Sequence, residues 1–269
     1  MSKKQYKKGD KKLLNAWAIY DWANSAYPLV ISSAVFPIYY GALFFDDLYI
    51  ELFGFNFKNT ALISFLTAFA FVILSFITPL LSGIADYMGN KKTFLKIFCY
   101  VGSLSCMGLY WFNIDNIYLG LFFYFLALIS FWASLVFYNS YLPDIAHKNQ
   151  QDFISAKGYA LGYFGSVLLL IFDLAMVMFP ENFGITGDNP ELVAMRYSFI
   201  SVGIWWITFS QYTFYHLPDQ NEKKKIKTFL KDSNYKPVTT VQINKKIKKL
   251  NMIKRSELIK GDVVLTAKS

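Results

Sequence analysis

Six stretches of about 20 residues, each nearly free of charge, recur along this 269-residue chain and dictate its solvent. A helix rises 1.5 Å per residue, so a run of that length crosses the roughly 30 Å of bilayer hydrocarbon. A soluble domain carries about 25% charged residues and lacks such runs; here only 17% are charged and 55% are hydrophobic. The pattern predicts spans at 16–41, 60–84, 94–112, 117–138, 159–179 and 196–216. Their many Phe, Tyr and Ile residues favour strands in water. In lipid every backbone amide must be satisfied within its own segment, which makes them helices. The expected fold class is an all-α membrane protein of six transmembrane helices. The run behind Lys3-Lys4-Gln5-Tyr6-Lys7-Lys8 is too long for a signal peptide, is interrupted by Asp21 and Asn24, and has no small-residue cleavage site. It reads as a retained first span.

The net charge of +9 could suggest a nucleic-acid partner, but the positions of the charges report topology instead. With the N-terminus in the cytoplasm, 25 of the 27 Lys and Arg fall on the cytoplasmic side and only Lys58 and Arg196 on the other. Both termini are therefore expected in the cytoplasm, and the lipid bilayer is the first partner. Residues 1–15 form a basic N-terminus, 16–218 a six-helix bundle, and 219–269 a lysine-rich tail, partly disordered and attracted to anionic lipid or in part docked as an amphipathic helix.

Polar residues in the first span are not scattered. Asp21, Asn24, Ser25 and Ser32 follow helical spacing and share a face with Trp17 and Pro28. An Asp against lipid would cost about 2–3.5 kcal/mol, so this stripe faces protein or a water-filled cavity, or Asp21 sits at the interface. Pro28 and Pro37 would let the same helix bend. Gly158, Gly162, Gly165 and Ser166 share one face of the fifth span, where small residues let helix backbones approach. Asp173 continues that face, deep in an apolar helix. It either carries protons past a cavity or is held by a hydrogen bond to a neighbouring helix.

Cys99 and Cys106 lie within one apolar run and read as packing residues. His147 and His216 stand at helix ends without ligand partners at metal spacing, and Asp144 after Pro143 reads as a loop carboxylate. No nucleophile constellation, phosphate loop or dinucleotide glycine pattern is present, so neither an enzyme nor a cofactor is expected.

Between the second and third spans, Asp86-Tyr87-Met88-Gly89-Asn90-Lys91-Lys92 resembles the signature loop of the major facilitator superfamily, with Ser82 where its leading glycine usually stands. The segment Trp17-Ala18-Ile19-Tyr20-Asp21-Trp22-Ala23-Asn24-Ser25-Ala26-Tyr27 resembles the first-helix motif of one branch, that of the autophagy-related vacuolar amino-acid effluxers and their bacterial relatives. Residues 138–146, from Tyr138-Asn139-Ser140-Tyr141-Leu142-Pro143-Asp144, and residues 154–166, from Ile154-Ser155-Ala156-Lys157-Gly158-Tyr159, are similar to the same branch.

That resemblance, covering about residues 13–218, implies the N-terminal half of a twelve-helix carrier. Helices one and four would line the cavity, and two and five would meet the second half. It makes Asp21, Asn24 and Ser25 substrate-binding, assigns Asp86, Gly89, Lys91 and Lys92 to a cytoplasmic gate, and gives the glycine face a surface to rock upon. The implied function is alternating-access transport of a small solute, such as an amino acid, in a bacterial cytoplasmic membrane. The missing half would come from a separate chain or a second copy, or the chain is truncated. The rival is a non-transporting membrane fragment or assembly partner.

Overall fold

The computed structural model describes residues 6–45, 49–52, 54–88 and 90–218, without the side chains of 84–88. Each apolar run forms one helical span: α1 (Lys11–Leu43), α2 (Asn59–Met88), α3 (Lys91–Gly108), α4 (Ile117–Ile145), α5 (Lys148–Met178) and α6 (Pro190–His216). All six are long and apolar enough to cross a membrane, and the chain is an integral membrane protein.

The helices overrun the expected spans, chiefly at polar ends, because caps and partners accommodate charges that hydropathy alone excludes. Helix α1 starts at Lys11 because the Asp10 carboxylate accepts from the backbone amides of Lys12 (2.8 Å) and Leu13 (3.3 Å). Helix α4 runs through Pro143 to Ile145, so Asp144 lies in its last turn and not in a loop. Only Ala146 and His147 separate it from α5. Lys157, expected ahead of the fifth span, lies within α5, where its ammonium donates to Asn15 Oδ1 (2.6 Å).

Helix α1 changes character midway. After Asn24 the chain passes into a π-helical segment, Tyr27–Val35, before returning to α geometry from Phe36 to Leu43. Pro28 stands at its start and has no N–H to continue the ladder, and the Ser33 hydroxyl donates back to the Pro28 carbonyl (2.8 Å). The wider turns shift the phase of everything that follows, an arrangement common at functional sites.

Helix α1 packs against α5 and α6, α3 against α4 and α6, and α2 mainly against α4. Trp17, Tyr20, Tyr27, Trp206 and Phe214 fill the centre. Cys99 and Cys106, both fully buried, pack there as free thiols. Helix α2 instead turns Phe65, Phe69, Phe76 and Leu80 outward. The connection between α1 and α2 contains an antiparallel hairpin absent from the sequence expectation, β1 (Tyr49–Leu52) with β2 (Phe55–Lys58). Gly54 makes its turn at φ +80°. At that end Arg196 donates through Nε to the Tyr110 carbonyl and lies 4.5 Å over the Tyr110 ring, which gives this cation both partners an apolar setting demands.

Candidate functional site: a cavity between three helices

A cavity of about 420 Å³ lies between α1, α4 and α5. Helix α1 contributes Trp17, Asp21, Asn24, Ser25 and Pro28 to its wall, five residues that α-helical spacing places on one face. One turn farther the π segment changes the register. Ser32, in phase for a regular helix, drops out of the lining and Ser33 replaces it. That substitution could not be read from the sequence, because spacing arguments assume an uninterrupted helix.

The Asp21 carboxylate is the acidic group of the lining. Its Oδ2 accepts from the Tyr138 hydroxyl of α4 (2.8 Å). Tyr138 is in turn fixed by the ring of Trp17, stacked at 4.2 Å, and the Trp17 indole donates to the Tyr138 carbonyl (2.9 Å). Carboxylate and phenol are thus positioned by one aromatic pair that crosses between two helices. Asn24 is buried in the same wall, and among the described residues its Nδ2 has no hydrogen-bond partner.

Helix α5 closes the third side. A methyl group at Gly158 would overlap the Asp21 carboxylate, one at Gly162 would overlap the Ser25 hydroxyl, and one at Gly165 would lie 2.7 Å from the Trp22 ring. The glycine face therefore lodges the motif residues of α1 and is turned into the bundle. The resemblance implied a face free to rock against a second half; here α1 occupies it. The resemblance also implied a cavity lined by the first and fourth helices, and α5 joins them through Ser155, Tyr159, Tyr163 and Ser166. Tyr159 and Tyr163 are largely exposed, so the cavity opens beside them.

Asp173 does not line this cavity. It is fully buried, and its Oδ1 lies 2.7 Å from the Ser201 hydroxyl of α6. That hydroxyl also lies 2.8 Å from the Ser198 carbonyl, while Asp173 Oδ2 has no partner among the described residues.

Of the residues assigned to a gate, Lys91 and Lys92 open α3. Lys91 donates to Asp144 Oδ2 (3.0 Å) and to the Ser140 carbonyl (3.1 Å), and Lys92 to the Leu217 carbonyl (2.6 Å). Two ammonium groups thus hold the C-terminal ends of α4 and α6, where exposed carbonyls favour cations. Asp86 falls in the last turns of α2, and its side chain and Gly89 lie outside the described residues. The Asp144 pairing was missed because a carboxylate after proline reads as a loop. Tyr138 stood in a motif without a role, since nothing in its spacing names its partner 117 residues away. Among the described residues no group of three His, Cys, Asp or Glu could hold a metal ion.

A family model described as vacuole effluxer Atg22 like matches residues 9–256. Over 196 residues the chain is 32% identical to a Bacillus subtilis (strain 168) protein named as the uncharacterized MFS-type transporter YxiO, covering 73% of this chain and 44% of that protein. An uncharacterized protein of Aquifex aeolicus is 30% identical over 195 residues, covering 66% and 46%. Autophagy-related protein 22-2 of Neosartorya fischeri is 26% identical over 220 residues, covering 56% and 35%. The chain spans less than half the length of these relatives. No solved structure matches it.

Proposed function

The chain belongs to the Atg22-like vacuole effluxer family, and on that premise we propose that it forms one six-helix half of a secondary carrier for a small solute, amino acids among them. The supporting observation is the cavity itself. Polar groups at bilayer depth are costly unless they face protein or water, and Asp21, Asn24 and Ser25 line about 420 Å³ of space between three spans. These residues bind the solute in this reading. The opening beside Tyr159 and Tyr163 would be covered by a second six-helix half or a second copy of the chain.

Alternating access can use a helix that bends, and the π segment between Asn24 and Phe36 offers a place for one beside the cavity. Lys91 and Lys92, with Asp86 and Gly89, form the gate, on a side that the lysine distribution assigns to the cytoplasm. The membrane is then a bacterial cytoplasmic membrane with both termini inside. In this reading Asp173 carries the coupling proton from a buried position off the cavity, through its contact with Ser201. The single hydroxyl proton of Ser201 cannot serve both the Ser198 carbonyl and Asp173, which leaves room for a second, movable proton between them.

Reconstitution in liposomes, alone and with a partner half, tests the reading. Solute flux lost on Asp21→Asn with unchanged insertion supports it. Absence of flux in either arrangement, with folding verified, would leave the chain a non-transporting assembly partner.

A further inference from the structure

The cavity has an unbalanced chemistry. Asp21 supplies a carboxylate, while among the described residues its lining contains no Lys, Arg or His. The nearest candidate in sequence, Lys157, sits beside Gly158 but has its ammonium on Asn15 Oδ1 (2.6 Å). The Tyr138 hydroxyl donates one neutral hydrogen bond to the carboxylate and brings no countercharge. Aromatic residues share the lining with this single negative group: Trp17 and Tyr138, buried and stacked on each other at 4.2 Å, and the more exposed Trp132, Tyr159 and Tyr163.

A carboxylate in a cavity rich in aromatic side chains is a recognition pattern for one class of ligand. A charge-assisted hydrogen bond from N⁺–H to the carboxylate is stronger than a neutral one. Aromatic faces attract the same cation and provide apolar area for the organic body attached to it. An anionic group would meet repulsion from Asp21 with no cation in the wall to offset it. The Asn24 amide lies buried one helical turn from Asp21 in the same wall, its Nδ2 unpartnered among the described residues. A volume of about 420 Å³ accommodates a ligand with several non-hydrogen atoms beyond the charged group.

Resting on the carrier reading above and refining it, we propose that this cavity takes its solute by an organic ammonium group, bound at Asp21 and flanked by the aromatic rings. Gly158 is a positioning residue for that site. Its missing side chain leaves the space the Asp21 carboxylate occupies.

Binding measured without flux separates this proposal from transport. The purified full chain in detergent is titrated calorimetrically at neutral pH with three probes of matched body: 2-phenylethylamine, 2-phenylethanol and 3-phenylpropionate. The amine should bind at least tenfold tighter than the alcohol, and the carboxylate more weakly than both. Asp21→Asn should abolish the amine's advantage while Asp115→Asn, at an exposed carboxylate outside the lining, retains it, with monodisperse elution and an unchanged helical spectrum for each. The three-probe comparison on the unsubstituted chain decides the matter even if Asp21→Asn fails to fold. Equal affinity for amine and alcohol, preference for the carboxylate, or an amine preference that survives Asp21→Asn would overturn the proposal. Flux without amine preference would overturn the ammonium site and leave the carrier; amine preference without flux would do the reverse.

Discussion

Replacing Gly162 by alanine probes the contact that builds the cavity wall. A methyl group there would overlap the Ser25 hydroxyl and lie 3.1 Å from the Asp21 carbonyl and 3.2 Å from Ser25 Cβ. The hydroxyl can rotate away, but the carbonyl belongs to the backbone of α1, so α1 and α5 must separate by a few tenths of an ångström. Overpacking of this kind costs about 1–3 kcal/mol. Alanine also removes the helix penalty of glycine, a gain of about 1 kcal/mol. Gly83→Ala isolates that gain, because Gly83 is exposed in α2 and a methyl there meets nothing within 4 Å. The difference between the two variants is therefore the overpacking alone. At about 2–4 °C per kcal/mol, Gly162→Ala should unfold about 2–12 °C below Gly83→Ala. Cys99 and Cys106 are free and fully buried, so a thiol-reactive dye reports the midpoint in detergent. Equal midpoints would refute the close α1–α5 approach.

Other substitutions test other parts of the molecule. Ser201→Ala should cost about 1–3 kcal/mol by stripping Asp173 of its buried partner, whereas Asp173→Asn should keep that contact, remain near the original midpoint and flatten the pH profile of transport; a retained profile would make Asp173 structural. Asp144→Asn should lower stability by at most about 1 kcal/mol, because that carboxylate is 45% exposed, and the loss should shrink in high salt. Tyr138→Phe should weaken solute binding severalfold while leaving insertion unchanged, since it removes the hydrogen bond to Asp21 but keeps the ring on Trp17; undiminished binding would separate the phenol from the site.

The bundle was legible because hydrophobic length is a direct consequence of bilayer thickness. The polar face of α1 was legible up to Pro28 because regular helical spacing holds that far. Beyond it the π segment exchanges Ser32 for Ser33, and no periodicity argument anticipates a local change of period. Helix ends were misjudged where charges are absorbed locally, as at Asp10, Asp144 and Lys157. The glycine face of α5 announced a close contact without naming its partner, which is α1 itself. The Arg196–Tyr110 pairing at the hairpin end depends on a tertiary contact that neither residue's neighbours in sequence disclose.

Aqueous access to the three-helix cavity tests the central claim most directly. With Cys99 and Cys106 replaced by alanine, single cysteines at Ser33 and Asn139, both in the lining, are compared in membranes with one at Leu168, 45% exposed but outside it. A membrane-impermeant thiol reagent should modify the two lining positions and spare Leu168, and bound 2-phenylethylamine should slow the reaction at Ser33. Equal reactivity at all three positions, or none at Ser33 and Asn139, would contradict a water-filled cavity along the Asp21 face.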